Sequence, residues 1–324
     1  MAGTLTVATK ELRDQFGSKR FMILFGLVLL LSTLSAYQGV DFIRNNEQAG
    51  FVYIFSGTQM SFSFIQTMVY FGPLLGLALG FDAINKERAT GTLSILLGQP
   101  IFRDSVINGK LIAGATALTT LVIGTIGIMS GVSIPMLGFG PTLTEMSKIL
   151  ALTLLTIIYL VFWLSLGILY SVLMKRTATS IMASIATWLT FSIIITILAS
   201  VVASFLVPLP GGGFRPQTGS GQAGGEGFRI SDEFMEAMQK RNALTSTINK
   251  ISPTNLYEEA ASDILGVVGG FMRGMGRQEF QRTLTLGEAL VANWANIATI
   301  VVGLIVCFAV SYMLFLRSEI RPGD

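Results

Sequence analysis

Charged side chains with a capacity for specific chemistry are concentrated in residues 81–110, a segment between two long apolar runs. They are Asp82, Lys86, Glu87, Arg88, Arg103, Asp104 and Lys110. Glu87 and Arg88 stand just before a short apolar stretch. Charged residues often surround apolar anchors at protein interfaces. The pattern therefore predicts a contact surface for a protein partner rather than a reaction centre.

Helix-capping and helix-ending residues in the same segment predict a very short helix between two long ones. We call residues 91–100 the knuckle. Gly91 can end the incoming helix in a left-handed conformation, and Thr92 can cap the next turns. Those turns carry Leu93, Leu96 and Leu97. Gly98 and Pro100 then end them. The sequence predicts an exposed hydrophobic knuckle; the alternative is a tight loop that happens to carry leucines.

Residues suited to catalysis or metal binding are scarce. The chain has no histidine, and its one cysteine, Cys307, lies within an apolar run. A phosphate-binding loop of the form G-x-x-x-x-G-K-[ST] is absent, because Gly109 and Lys110 are followed by Leu111. The centres of the apolar runs carry no ionisable residue, whereas membrane proteins driven by ion gradients usually need one. Any energy input is expected from outside the chain.

The composition is that of an integral membrane protein. Hydrophobic residues make up 51% of the chain and charged residues 13%, and the mean hydropathy is +0.65. The net charge of +3 is small, and apolar helices cannot bind nucleic acid, so no nucleic-acid partner is expected. The pI of about 9.0 is interpreted as a signal of membrane orientation.

Membrane-spanning helices are the elements that must position the knuckle. Six apolar runs have the length that a bilayer demands, at about 21–37, 62–81, 106–134, 146–174, 178–207 and 286–316. The third is predicted to end at Pro135. The first run is too long for a signal peptide, so none is expected. Residues 4–16 have apolar positions at helical spacing and predict an amphipathic helix in the membrane interface, here called the elbow helix.

The predicted fold class is therefore an all-α integral membrane protein with six transmembrane helices, the elbow helix and the short knuckle helix. Three parts are expected: residues 1–207, residues 208–285 as an outer segment, and residues 286–324. Within the second span Gly72, Gly76 and Gly80 recur every four residues. Such a stripe of small residues lets two helix backbones approach closely, which predicts a packing face.

The outer segment is predicted to be helical after a mobile, glycine-rich part at 211–227. One helix begins near Ser231. A second begins at Ser252 and Pro253, and its apolar stripe comprises Leu256, Ala260, Ile264, Val267 and Phe271. These helices are expected either to cap the outer mouth of the protein or to lie on the membrane surface.

Asn293 and Asn296 are the notable polar residues near the start of the last span. One interpretation is that they line a passage through the membrane. The alternatives are anchoring at the membrane interface and hydrogen bonds between helices.

Basic residues predict the orientation of the bundle. One side carries Lys10, Arg13, Lys19, Arg20, Lys86, Arg88, Arg103, Lys110, Lys175, Arg176, Arg317 and Arg321. The short loops of the other side hold little besides Arg44 and Lys148. Cytoplasmic loops carry an excess of Lys and Arg, so the knuckle and both termini are predicted to be cytoplasmic.

The residue order of the central segment, 81–110, resembles that of a known family. The order Glu-Arg-Ala-Thr-Gly-Thr-Leu-Ser-Ile-Leu-Leu at 87–97, followed by Pro100, Arg103 and Gly109-Lys110, is similar to the cytoplasmic loop of permease subunits of ABC transporters of the type 2 exporter class. In that family the loop is a coupling helix that sits in a groove of the ATPase subunit. The resemblance implies that the ATPase contacts Glu87, Arg88, Gly91, Thr92, Leu93, Leu96 and Leu97.

The resemblance further implies a permease subunit of an ATP-driven exporter in a prokaryotic cell membrane. A second permease copy, identical or different, would complete it, and the chain itself would hold no cofactor, because ATP and Mg²⁺ are bound by the ATPase. Two alternatives stay open: an ATPase-coupled scaffold or mechanotransmitter without transport, and a membrane enzyme acting on lipids. The enzyme needs a nucleophile, base or metal cluster that the sequence does not offer.

Overall fold

The computed structural model describes residues 2–46, 49–56, 63–91, 102–209, 214–216, 228–230, 232–266 and 285–317. The helices of the first half are α1 (Ala2–Phe16), α2 (Lys19–Asn45), α3 (Tyr53–Ser56), α4 (Phe64–Gly80), α5 (Asn85–Ala89) and α6 (Arg103–Leu137). Those of the second half are α7 (Leu143–Leu173), α8 (Thr177–Leu189), a π-helical turn (Thr190–Ile194), α9 (Ile195–Leu206), α10 (Asp232–Asn249), α11 (Pro253–Leu265), α12 (Leu286–Ala292) and α13 (Trp294–Arg317).

Six helical stretches are long and apolar enough to cross a membrane, which confirms the predicted class of all-α membrane protein. They are Lys19–Asn45, Phe64–Ala89, Arg103–Leu137, Leu143–Leu173, Thr177–Leu206 and Trp294–Arg317. Successive stretches run in opposite directions. One end of the bundle therefore gathers residues 17–20, 81–91, 102–110, 174–177 and 317, and we call it the knuckle side; the other end is the distal side.

The core is organised around α7, which packs against α4, α6, α11 and α13. Its Tyr159 and Trp163 are among the largest fully buried side chains of the protein. The ring of Tyr159 stacks on that of Tyr257 from α11, with 4.3 Å between ring centroids, and the Tyr257 hydroxyl lies 2.9 Å from Thr156 Oγ1. Burial raises the pKa of Tyr257. Helix α10, the first outer helix after the fifth span, packs against α9, whereas α11 packs within the bundle against α4 and α7.

Two spans are longer than predicted. The first continues to Asn45, past the predicted end at 37, because Val40 and Ile43 are buried against the core. The third does not end at Pro135: the proline lies inside α6, which stops at Leu137. Gly138 ends the helix instead, with a φ of 78° and an N–H that donates to the Ile134 carbonyl at 2.9 Å.

The last predicted span is interrupted. A capping box of Thr285 and Glu288 begins α12, and the helix breaks at Asn293 before α13 starts at Trp294. The second outer helix, α11, ends at Leu265, where Gly266 adopts a φ of 73°. Its predicted stripe is buried at Leu256, Ala260 and Ile264. Val267 and Phe271 lie outside the described residues.

The glycine-rich part of the outer segment contains one described piece of structure. Residues Phe214–Pro216 form strand β1, which pairs antiparallel with β2, Phe228–Ile230. The register joins Arg215 to Arg229. The other residues of 211–227 lie outside the described part of the chain. The prediction that they are mobile therefore stays a prediction.

Candidate partner-docking site

The chain reaches the knuckle through α4, a turn at residues 81–84 and the short helix α5. Gly91 follows α5 with a φ of 70°, in the left-handed region that glycine adopts without strain. This is the conformation that the sequence predicted for it. Residues 92–101 lie outside the described part of the chain, and with them the predicted contact residues Thr92, Leu93, Leu96 and Leu97.

Two serines hold the turn before α5. Ser171 of α7 accepts hydrogen bonds from the backbone N–H groups of Ile84 and Asn85, at 2.8 and 3.0 Å. Ser180 of α8 donates to the Phe81 carbonyl at 2.7 Å. Helix α5 begins here, and its first N–H groups have no partner within the helix itself. The bonds from α7 and α8 therefore fix where α5 starts and in which direction the chain leaves the bundle.

A buried lysine joins three elements around the start of the knuckle. The ammonium of Lys110, in α6, lies 2.8 Å from a carboxylate oxygen of Glu87 in α5 and 3.1 Å from one of Glu11 in α1. The Lys110 side chain is only 4% exposed, and the two carboxylates are 13% and 15% exposed. The elbow helix, the approach to the knuckle and the third span are thus tied at one point, here called the Lys110 cluster.

Electrostatics in this cluster favour the ionised form of Glu11. Burial opposes ionisation of Glu11, but the ammonium groups of Lys110 and Lys10 outweigh it and hold the pKa of the Glu11 carboxyl below its usual value. The close packing of α1 adds to this arrangement: a Cβ on Gly109 would come within 2.8 Å of Val7. The elbow helix is therefore seated directly on the start of α6.

The cluster changes the interpretation of one predicted contact residue. Glu87 was predicted to meet a partner, but its side chain faces inward and pairs with Lys110. Arg88 is half-buried and Gly91 is exposed, so these two lie at the edge of the knuckle. Beyond the knuckle, Phe102 is 81% exposed.

Sequence reasoning missed the partners of this arrangement. The sequence places Lys110 among the charges of residues 81–110 and gives it no partner. The available signal was the position of Lys110 at the very start of a long apolar run, where a lysine needs either water or a carboxylate. Nothing in the sequence pattern marks Ser171 or Ser180, since their roles depend on contacts across 87 and 99 residues.

The glycine stripe of α4 lies against α7. A Cβ on Gly76 would come within 2.7 Å of the Leu160 carbonyl oxygen, and one on Gly80 within 2.6 Å of the Leu164 carbonyl oxygen. A Cβ on Gly72 would meet the Leu160 side chain at 2.9 Å. All three predicted packing residues thus face the same neighbouring helix. The closest backbone approach is at the knuckle-side end, just before the turn that leads to α5.

Asn293 and Asn296 lie on the distal side, between α13 and α11. Asn293 Nδ2 donates to an Asp263 carboxylate oxygen at 2.9 Å, and Asn296 Nδ2 donates to Glu259 Oε2 at 3.3 Å and to Asn293 Oδ1 at 3.0 Å. The two asparagines are only 2% and 8% exposed. The burial of the two asparagines in the single chain does not test the pathway interpretation, which stays a prediction. Their contacts are hydrogen bonds between helices, which was the alternative.

Clusters of three or more His, Cys, Asp or Glu side chains suited to a metal ion do not occur among the described residues. What the knuckle side offers is a rigidly held platform: a short helix anchored by serines, a buried ion cluster behind it and exposed apolar surface beside it.

These features define a polytopic membrane protein with a braced loop between its second and third spans. Comparison with known proteins specifies the class further. The sequence matches the family described as ABC-2 family transporter protein over residues 5–320. The chain therefore belongs to the ABC-2 transporter family, and the family resemblance found in the sequence is confirmed.

One similar protein is a probable ABC transporter permease protein, NosY, of Pseudomonas aeruginosa. The two are 33% identical over 119 residues, which is 36% of this chain and 41% of the relative. The chain thus matches less than half the length of that protein.

Proposed function

We propose that the chain is the permease subunit of an ATP-driven exporter and that a separate ATPase subunit docks on the knuckle. Family membership supports a role as a transporter component. The Lys110 cluster is the observation that carries the docking proposal, because it ties α5, which leads into the knuckle, to α1 and α6. A force applied there reaches α1, α5 and α6 together.

The same platform supports coupling to the rest of the bundle. Helix α5 is bonded to α7 through Ser171, and α4 lies backbone to backbone against α7 at Gly76 and Gly80. Movement of the knuckle would therefore displace the central helix rather than a peripheral loop. ATP and Mg²⁺ belong to the partner in this proposal, since the chain has no phosphate-binding loop in its sequence.

Two permeases and two ATPases would form the complete transporter. In the most apolar part of the second span 67% of the residues are buried within the single chain, but in the corresponding parts of the fifth and sixth spans only 17% are. Their uncovered apolar surface suits lipid and a second permease copy, identical or different. The excess of basic residues on the knuckle side supports a cytoplasmic position for the knuckle and both termini in a prokaryotic cell membrane.

Co-purification tests the docking proposal. The Leu96→Asp substitution places a charge on the proposed contact surface, and burial of such a leucine is worth roughly 1.5 to 3 kcal/mol. We expect the co-expressed ATPase to be lost while the variant permease still inserts into the membrane. The matched control is Leu143→Asp, at a leucine that is 87% exposed on the distal side. Full retention of the ATPase and of its coupled ATP hydrolysis by the Leu96→Asp variant would refute the proposal.

A further inference from the structure

A cavity of about 420 Å³ opens on the knuckle side, between the elbow helix, the start of α2, the end of α4 and α5. Its inner wall is apolar and includes Phe21, Leu24, Leu75 and Leu79. Its outer wall carries charged and polar side chains. Such a division between an apolar depth and a polar mouth suits an amphipathic ligand.

The cavity lies at the level of the membrane surface. Helix α2 begins at Lys19, and its next outward-facing residues, Met22 and Ile23, are 58% and 69% exposed although they are apolar. Exposed apolar side chains at the start of a membrane span face lipid. Phe21 and Leu24 on the same turn line the cavity. The mouth of the cavity is therefore at headgroup depth, and its inner wall is at the depth of the first acyl methylenes.

Groups of both charges are available at the mouth. Lys86 is exposed, and among the described residues no carboxylate lies within ion-pair distance of it. The Lys10 side chain remains 56% exposed beside Glu11 and Asp14. The acceptors include Asp14, which is 65% exposed, and Gln15 Oε1, which is buried and without a hydrogen-bond partner in the described structure. The carboxylates of Glu11, Asp82 and Glu87 also line the cavity, and they pair with basic side chains of the chain itself. Buried polar atoms normally have a hydrogen-bond partner, so the Gln15 acceptor is available to a donor from outside the described residues.

We propose that this cavity binds a glycerophospholipid with an ethanolamine headgroup, taken from the leaflet on the knuckle side. The phosphate lies beside the ammonium groups of Lys86 and Lys10, since charge-assisted hydrogen bonds are the strong ones. The ethanolamine ammonium donates to Asp14 and to Gln15 Oε1. An acyl chain begins along Leu24 and Leu79. The lipid would fasten the elbow helix to α5 from the membrane side, and this inference does not depend on the proposed function.

Thermal unfolding of the full chain in detergent tests the inference with defined probes. These are dioleoyl phosphatidylethanolamine, phosphatidylglycerol and phosphatidylcholine with the same acyl chains, and free glycerophosphoethanolamine. We expect phosphatidylethanolamine to raise the unfolding temperature at the lowest concentration, because it alone of the four probes combines a phosphate, a hydrogen-bonding ammonium and acyl chains. Equal effects of the three lipids, or a preference for phosphatidylglycerol, would overturn the proposal. An equal effect of the free headgroup would overturn the lipid as the source.

A pair of lysine variants locates the binding. Lys86→Gln should weaken the response to phosphatidylethanolamine by about tenfold, the loss of one charge-assisted contact. Lys19→Gln makes the same change in charge on the same side, but Lys19 does not line the cavity, so its response should equal that of the native chain. Leu79→Trp should abolish the response by filling the cavity. Lys86 and Asp14 are exposed, so Lys86→Gln is expected to fold normally without lipid. Identical responses of Lys86→Gln and Lys19→Gln would overturn the site.

Discussion

Lys110 is the side chain at which three helices of the bundle, α1, α5 and α6, are joined. Its ammonium is removed from water and has two carboxylates as partners, each from a different helix. A buried charge is tolerable only when it is paired with good geometry, and removal of one partner leaves the others uncompensated. In this cluster Lys110 is the buried cation between the two carboxylates, and the exposed Lys10 also contacts Glu11. The arrangement is therefore most sensitive at Lys110 itself.

Substitution of Lys110 by methionine should destabilise the chain by about 3 to 5 kcal/mol, because it removes the buried cation that pairs with both Glu11 and Glu87. The measurement is the free energy of unfolding in detergent. Lys10→Met is the control: its ammonium also contacts Glu11, at 3.2 Å, but its side chain is 56% exposed. An exposed pair contributes about 0 to 1 kcal/mol. A loss of the same size in both variants would contradict the proposed importance of burial.

The same cluster predicts a dependence on pH. The pKa of Glu11 is lowered in the folded chain from its ordinary value of 4.5, so its contribution to stability is present above pH 4.5 and is lost as the pH falls through the folded-state pKa. The difference in stability between the native chain and the Lys110→Met variant should therefore shrink in acid. Unfolding measured from neutral pH downwards checks this, and a constant difference would contradict it.

At the scale of elements, the contact between α4 and α7 depends on the absence of side chains at two positions. Gly76→Ala and Gly80→Ala place a methyl group against backbone atoms of α7, which cannot move aside as a side chain can. Overpacking of this kind costs about 1 to 3 kcal/mol. Gly127→Ala is the control, since a Cβ there has nothing within 4 Å, and alanine should stabilise helix α6 by about 0.5 to 1 kcal/mol.

The thermal stabilities of the Gly76→Ala, Gly80→Ala and Gly127→Ala variants test whether the stripe is a close packing face. Gly72→Ala should lie between the extremes, because its Cβ would meet only the side chains of Leu160 and Tyr159. If Gly76→Ala and Gly127→Ala have the same effect, the α4 stripe is not a close packing face. The i, i+4 repeat of glycine indicated such a face from sequence alone, since it puts small residues on one side of a helix. It could not indicate which helix packs there.

Element boundaries show where sequence reasoning reaches its limit. Long apolar runs and their polar ends locate six spans, because the bilayer sets a minimum length. The ends themselves depend on tertiary contacts: Pro135 is accommodated within α6, and the last span breaks at Asn293, whose amide bonds to Asp263. A serine or lysine whose partner lies on another helix leaves no periodic signal. For this reason the spans and Gly91 were predictable, and the Lys110 cluster was not.

At the scale of the whole molecule, the orientation in the membrane governs which side an ATPase can reach. The short distal loops hold few basic residues, whereas Lys19, Arg20, Lys175 and Arg176 flank spans on the knuckle side. Translocation across the membrane selects against Lys and Arg in short loops, so the knuckle side should face the cytoplasm. The long outer segment does not weigh against this, because long loops are translocated largely regardless of charge.

Cysteine labelling tests this orientation in a variant with Cys307→Ala, which removes the one native thiol. Lys175 and Gly140 are both exposed and lie at opposite ends of the bundle. The Lys175→Cys variant should react with a membrane-impermeant maleimide only after the cells are permeabilised, because the thiol lies inside. The Gly140→Cys variant should react in intact cells. The Cys307→Ala background without either substitution should remain unlabelled in both conditions. The reverse pattern of labelling would place the knuckle outside the cell, out of reach of ATP, and would remove the basis for an ATPase partner at that surface.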